Sequence, residues 1–213
     1  MEKILFINAC MRGKEISRTY KLCQIFLKEY TAQREYGFTE VDLNDKPLQN
    51  FDGKAVMHRD KLIDSGSLND DIFLSANLFA RADTILVGAP YWDLSFPAIL
   101  KTYIEHVSVR NITFRATAVG VEGICKAKIL IYITTAGGKI GKSDFGSEYF
   151  RGLCEFYGIK NFKSISAQAL DLETSNPGLI MSEAGKRAAA VAKEIRLSSG
   201  EKSPWPLKSS MAI

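Results

Sequence analysis

The sequence has few of the side chains that usually hold metals. Two histidines, His58 and His106, occur in 213 residues. The four cysteines, Cys10, Cys23, Cys125 and Cys154, include no Cys-x-x-Cys pair. That donor set argues against a zinc or iron–sulfur centre and for reduced, mostly buried thiols. Also missing are Gly-x-Gly-x-x-Gly, Gly-x-x-x-x-Gly-Lys-Ser/Thr, His-Glu-x-x-His and Gly-x-Ser-x-Gly. A Rossmann dinucleotide site is therefore not indicated. Long apolar runs are absent too. Ile4-Leu-Phe-Ile7 follows Glu2 and Lys3 directly and is too short for the core of a secretion signal, and no run approaches a membrane span. The expectation is a cytoplasmic protein with no membrane partner, in which Asn111-Ile-Thr113 is a glycosylation sequon by pattern only. A net charge of +4 is mild and dispersed. It slightly favours anionic small molecules and does not argue for nucleic acid.

What is present is an alternation of short apolar runs and amphipathic stretches. The apolar fraction of 46% and the length suit one domain with one sizeable core. Strands are expected at Lys3–Asn8, Phe38–Leu43, Thr84–Ala89, Lys128–Thr134 and Lys160–Gln168. Between them fall a helix from an Ser17 cap to about Tyr30, a short helix around Asp52–Ile63, and one capped by Asn69 or Asp70 that runs through Phe79. A further helix, Ser95–Val107, takes Ser95 as its cap and Pro97 in its first turn. Another spans Phe145–Tyr157, stopped by Gly158, and the last runs from Pro177 through Ile195 after an Asn176 cap. Residues 108–123 interrupt the rhythm and read as a small hairpin projecting from the ligand edge. Residues 198–213, with Pro204-Trp-Pro206, show no period and read as an extended or partly disordered tail after a domain of residues 1–197. This alternation implies an α/β fold, a doubly wound five-stranded parallel sheet in the flavodoxin-like order 2-1-3-4-5.

In such a sheet ligands bind outside the carboxyl ends of the strands, where the first and third diverge. Three loops reach that edge. The first carries Cys10, Arg12, Ser17, Arg18 and Thr19; hydroxyls and free amides at a helix start can cradle a phosphate, and arginine can add a bidentate contact. The plainer reading makes Ser17 only a cap and Cys10 only a small residue. The second loop, Pro90-Tyr-Trp-Asp-Leu94, follows a strand ended by proline and offers two aromatics to a flat ring; such a pair can equally pack in a core. The third, Thr135-Ala-Gly-Gly138, lets backbone approach a ligand closely, or is an ordinary strand-to-helix turn. Their agreement on one edge carries the argument. His106, within a helix, reads as packing.

The chain resembles the flavodoxin-like FMN-dependent NAD(P)H oxidoreductases, the NADH-azoreductase or FMN-dependent NADH:quinone oxidoreductase family. The likeness is strongest in Ala82–Tyr103, which looks like that family's Ala-Asp-x-Ile-x-x-x-x-Pro-…-Leu-Lys-x-Tyr signature, and in Asn111–Arg115 with Gly120–Gly123. It implies FMN as cofactor, NADH or NADPH as co-substrate, and ping-pong hydride transfer to a small aromatic acceptor: a quinone, azo or nitro compound. By position it places Ser17, Arg18 and Thr19 at the phosphate. Cys10 stands where the family commonly has serine, Tyr91, Trp92, Asp93 and Leu94 flank the isoalloxazine, and Thr135, Ala136, Gly137 and Gly138 approach its other edge. It also implies a homodimer, in which residues 111–123 and the partner chain complete the pocket. Two motifs depart from the family: Tyr91-Trp-Asp-Leu replaces Met-Tyr-Asn-Phe, and Thr135-Ala-Gly-Gly replaces Ser-Arg-Gly-Gly. The competing readings are a flavodoxin-type electron carrier and a flavin-free descendant of the fold. A carrier would be strongly acidic and shorter.

Overall fold

In the computed structural model, which describes residues 1–33, 35–45 and 48–198, five apolar runs pair into one parallel sheet. The chain begins β1 (Glu2–Asn8), α1 (Arg18–Tyr30), β2 (Tyr36–Asp42), α2 (Gly53–Asp64), a 3-10 turn (Asp71–Phe73), α3 (Leu74–Arg81), β3 (Thr84–Gly88) and α4 (Ala98–Val107). It continues β4 (Phe114–Thr117), β5 (Gly120–Gly123), β6 (Ile129–Thr135), α5 (Phe145–Tyr157), β7 (Asn161–Ala167) and α6 (Pro177–Ser198). The sheet order is β2-β1-β3-β6-β7, the flavodoxin-like order expected, with β4 and β5 forming a separate antiparallel pair. Of the tail expected at 198–213, all but Ser198 lies outside the described residues.

The central strands β1, β3 and β6 are covered on both faces, which is why they read as continuous apolar runs, while the edge strands β2 and β7 are partly exposed. Leu5, Ile7, Ile85, Val87 and Tyr132 pack against α3, α4 and α5. Their neighbours Ile4, Phe6, Leu86, Ile131 and Ile133 point the other way, into α1 and α6. On α6, Ala184, Ala188 and Ala192 are fully buried, spaced four apart along one face. Small side chains there let α6 lie close to α1, and the Ile25 side chain reaches Gly185.

Four expectations change. The helix after β3 begins at Ala98, with Pro97 as its cap residue and no side-chain cap, not at Ser95. Pro97 disfavours helical backbone at Phe96, so the helix cannot start earlier. The helix expected from Asn69 or Asp70 opens as a 3-10 turn: the Asp70 carboxylate accepts from the Ile72 amide, and the α-helix starts at Leu74. The hairpin forms, but it does not project from the ligand edge. Because α4 runs back along β3, the chain reaches β4 at the opposite, amino-terminal edge. There Cys125 donates to the Tyr157 carbonyl and Lys126 to the Ala80 carbonyl. The second strand, expected at Phe38–Leu43, starts two residues earlier at Tyr36.

That far edge is tightly built. A Cβ on Gly123 would lie 2.0 Å from the Tyr157 carbonyl carbon and 2.1 Å from the Gly158 nitrogen, both backbone atoms. Gly158 itself ends α5 at φ 77°. Gly123→Ala is therefore expected to cost about 3 kcal/mol, the upper range for overpacking. Gly152→Ala, in open space on the exposed side of α5, should instead gain about 0.5–1 kcal/mol. Urea unfolding of the two variants beside wild type checks both; equal midpoints would refute the contact.

Candidate active site

The crevice forms where β1 and β3, paired from Ile4↔Thr84 to Asn8↔Gly88, release their chains to opposite faces. It encloses about 250 Å³ and is lined by Met11, Arg12, Ile16, Ser17, Arg18, Thr19, Pro90, Tyr91, Trp92, Thr135, Gly137 and Asp171. A larger groove, about 460 Å³, runs beside α1 and β2 past Tyr20, Leu27 and Tyr36. It lies away from the converging loops, so size does not choose between them.

The first wall is the start of α1. Ser17 is the cap: its hydroxyl accepts from the Tyr20 amide at 3.1 Å. Among the described residues, the amides of Arg18 and Thr19 find no acceptor, so two orphan N–H groups and the positive end of the helix dipole face the crevice. The Thr19 and Thr135 hydroxyls meet at 2.6 Å and tie the first loop to the third. Arg12 is exposed and makes no hydrogen bond or close ion pair among the described residues. Lys14, by contrast, is engaged by Glu40 at 2.9 Å and Asp42 at 3.6 Å.

Cys10 lies behind this wall, 1% exposed, its thiol aimed at the Gly88 carbonyl at 3.6 Å. Burial pushes its pKa up to about 12, with Asp42 and Glu40 adding to the rise against a lowering contact from Ser17. It is a packed neutral thiol, not a nucleophile.

The second wall is a tight turn. Trp92 and Ser95 exchange both backbone hydrogen bonds, at 3.2 and 2.8 Å. The central residues Asp93 and Leu94 have φ values of 49° and 66°. That left-handed pair is the signature of a hairpin turn normally made with Asn-Gly. Leucine there is strained, and strain of this kind collects at functional sites. The turn projects Trp92, 42% exposed, beside the crevice, while Asp93 and Leu94 stand at its exposed tip, outside the lining. The Tyr91 amide donates to the Thr135 carbonyl at 2.9 Å and its hydroxyl to the Ser143 carbonyl at 3.2 Å. These bonds hold the second wall to the third.

In the third loop Thr135 and Gly137 line the crevice, Ala136 is buried behind them, and Gly138 stands outside the lining. Sequence reasoning missed Asp171, just beyond β7. Its carboxylate takes both outer nitrogens of Arg18, at 2.8 and 3.1 Å, and that guanidinium holds it below the usual carboxylate range. No motif marks an aspartate whose partner lies 153 residues away. His106 stacks on Phe51 at 4.2 Å and bonds the Gln49 carbonyl on the outer side of α4, as packing predicts.

The walls suit a phosphorylated flat ligand. Orphan amides and hydroxyls stand at one end and an exposed indole at the other. A family model described as "Flavodoxin-like fold" matches residues 2–191. The chain is similar to an FMN-dependent NADH:quinone oxidoreductase 2 of Clostridium perfringens (strain 13 / Type A), 35% identical, with 91% of this chain and 100% of the relative covered. Its fold resembles an azoreductase from Bacillus anthracis strain Sterne, with a TM-score of 0.81 and 24% identity over 91% of this chain and 100% of the other. It also resembles an FMN-dependent NADH-azoreductase from Bacillus anthracis strain Ames Ancestor solved in complex with FMN. That match has a TM-score of 0.79 and 19% identity over 92% and 100% of the two chains.

Leu94→Asn should relieve the turn, because asparagine tolerates left-handed backbone far better than leucine. A gain of about 1 kcal/mol would raise Tm by roughly 2–4 °C in a domain of this size. Calorimetry that shows no rise would mean the turn is not strained.

Proposed function

Because this chain belongs to the flavodoxin-like fold family, we propose that its crevice holds FMN and passes hydride from NADH to a quinone. The chain is an FMN-dependent oxidoreductase. The observation that carries the reading is the convergence, at the β1–β3 switch point, of unpaired α1 amides with an exposed Trp92 about which three loops close. When bound, FMN supplies the two-electron chemistry.

The protein's part is to hold and shield. Ser17, Thr19 and the amides of Arg18 and Thr19 receive the phosphate, Arg12 adds an unpaired charge, and Cys10 supports the loop from behind. Pro90, Tyr91 and Trp92 flank the isoalloxazine from the crevice wall, with Asp93 and Leu94 at the exposed tip of the same turn. Thr135 and Gly137 approach the ring's other edge, with Ala136 packed behind them and Gly138 beyond the lining, and the space without a Cβ at Gly137 admits the Asp171 carboxylate. Asp93 stands where charge near the ring would shift the flavin's electronics. We extend the acceptor class to azo and nitro aromatics and the donor to NADPH, and propose a homodimer. The protein is read as cytoplasmic, with no nucleic-acid or membrane partner; no helix among the described residues is long and apolar enough to cross a membrane. A flavodoxin-type carrier is the alternative, and the charge of +4 weighs against it.

Two measurements test the reading. Purified protein, or protein mixed with FMN, should show bound-flavin absorbance that NADH bleaches anaerobically and a quinone restores. Flavin that binds but resists NADH would favour the carrier. Ser17→Asp keeps a good helix cap yet puts a negative charge at the phosphate, so FMN affinity should fall at least about tenfold with Tm nearly unchanged. Unchanged affinity would place the phosphate elsewhere.

A further inference from the structure

We propose that Asp171 is an internal competitor for the cofactor's phosphate: its carboxylate occupies the Arg18 fork and cancels its charge, and so sets how strongly the crevice prefers phosphorylated flavin. The inference rests on the FMN reading above.

The geometry is that of a carboxylate standing in for a phosphate. Asp171 accepts from both outer nitrogens of Arg18, at 2.8 and 3.1 Å, the side-by-side arrangement guanidinium also makes with phosphate. Arg18 is the first residue of α1, beside the orphan amides. The competitor is fixed in place independently of the arginine. The Ala169, Leu170 and Asp171 amides donate to the carbonyls of Gly138, Ala136 and Gly137 at 2.7, 3.2 and 2.9 Å. Its Oδ2 sits where a Gly137 Cβ would be, so a side chain at 137 would push the carboxylate aside. The pair is nonetheless exposed: the Asp171 side chain is 60% accessible and that of Arg18 30%. Exposed pairs contribute little and exchange readily, so a phosphate can contest this one.

Charge decides the sign. A phosphate beside lone Arg18 meets a cation, whereas beside the Arg18–Asp171 pair it meets almost no net charge. Lys14 is muted in the same way by Glu40 and Asp42, which leaves Arg12 as the first-loop cation with no close ion pair, though its charge too acts on Asp171. The crevice thus holds its phosphate mainly by backbone amides and hydroxyls.

The test uses flavin-stripped full-length protein titrated with FMN and with riboflavin, followed by flavin fluorescence. Asp171→Asn should tighten FMN by about tenfold at low salt, the size of one unscreened surface charge a few ångströms away, and leave riboflavin unchanged. The gain should shrink as salt rises and vanish in the Arg18→Gln/Asp171→Asn double variant. Circular dichroism and Tm of the single variant should match wild type closely, since three backbone bonds keep the loop. FMN affinity that is unchanged or weaker in Asp171→Asn overturns the proposal. So does an equal gain for riboflavin, or a gain that survives in the double variant. A wild type that binds neither flavin overturns the FMN reading and this inference together. A wild type that binds FMN beside a silent Asp171→Asn overturns this inference alone.

Discussion

The crevice depends on the register between β1 and β3. Their ladder ends at Asn8 opposite Gly88, and the Ala9 amide on the Gly88 carbonyl continues it one step further, as the Ala89 amide on Ile133 continues the β3–β6 ladder. All five strands point the same way, so every strand-to-helix connection opens on one edge. A slip of one residue would turn each strand's apolar set onto the wrong face and carry Ser17 and Trp92 out of reach of each other. The two apolar layers therefore determine the polar geometry at the sheet's end.

That polar geometry is held by bonds between loops as well as within them. The Thr19–Thr135 hydroxyl contact, the Tyr91 amide on Thr135, and the Asp171–Gly137 backbone bond each join two walls. Backbone strain gathers mostly in the same region: of the four non-glycine residues with positive φ among the described residues, Asp93, Leu94 and Ala169 lie in loops at the carboxyl edge, and Asn111 precedes the hairpin at the other. Stable elements absorb such local cost, and loops on a rigid sheet are free to carry it.

Much of this was legible before any coordinates. Thr-Ile-Leu-Val had to be a doubly covered strand, Gly158 had to end a helix, and Asn176-Pro177 had to begin one, because each rests on local backbone chemistry. The three loops of the crevice followed from strand order alone. What was not legible depends on direction or distance. The side of the sheet on which the hairpin sits is decided by α4 running back along β3, which no residue in 108–123 encodes. The Trp92–Ser95 turn lacks the glycine or asparagine that would announce it. Asp171 acquires its partner only when β7 is laid beside β6.

The hairpin's position has a genetic consequence. Val119 at its tip is almost wholly exposed, yet the hairpin stands at the edge opposite its own crevice and cannot roof it. Under the proposed homodimer, any roof it forms belongs to the other chain. Each working site would then be a joint product of two polypeptides, one giving the crevice and the other the cover. Two alleles defective in different parts, one in the crevice and one in the hairpin, would rebuild a sound site when expressed together. Intragenic complementation of that sort is closed to a monomer.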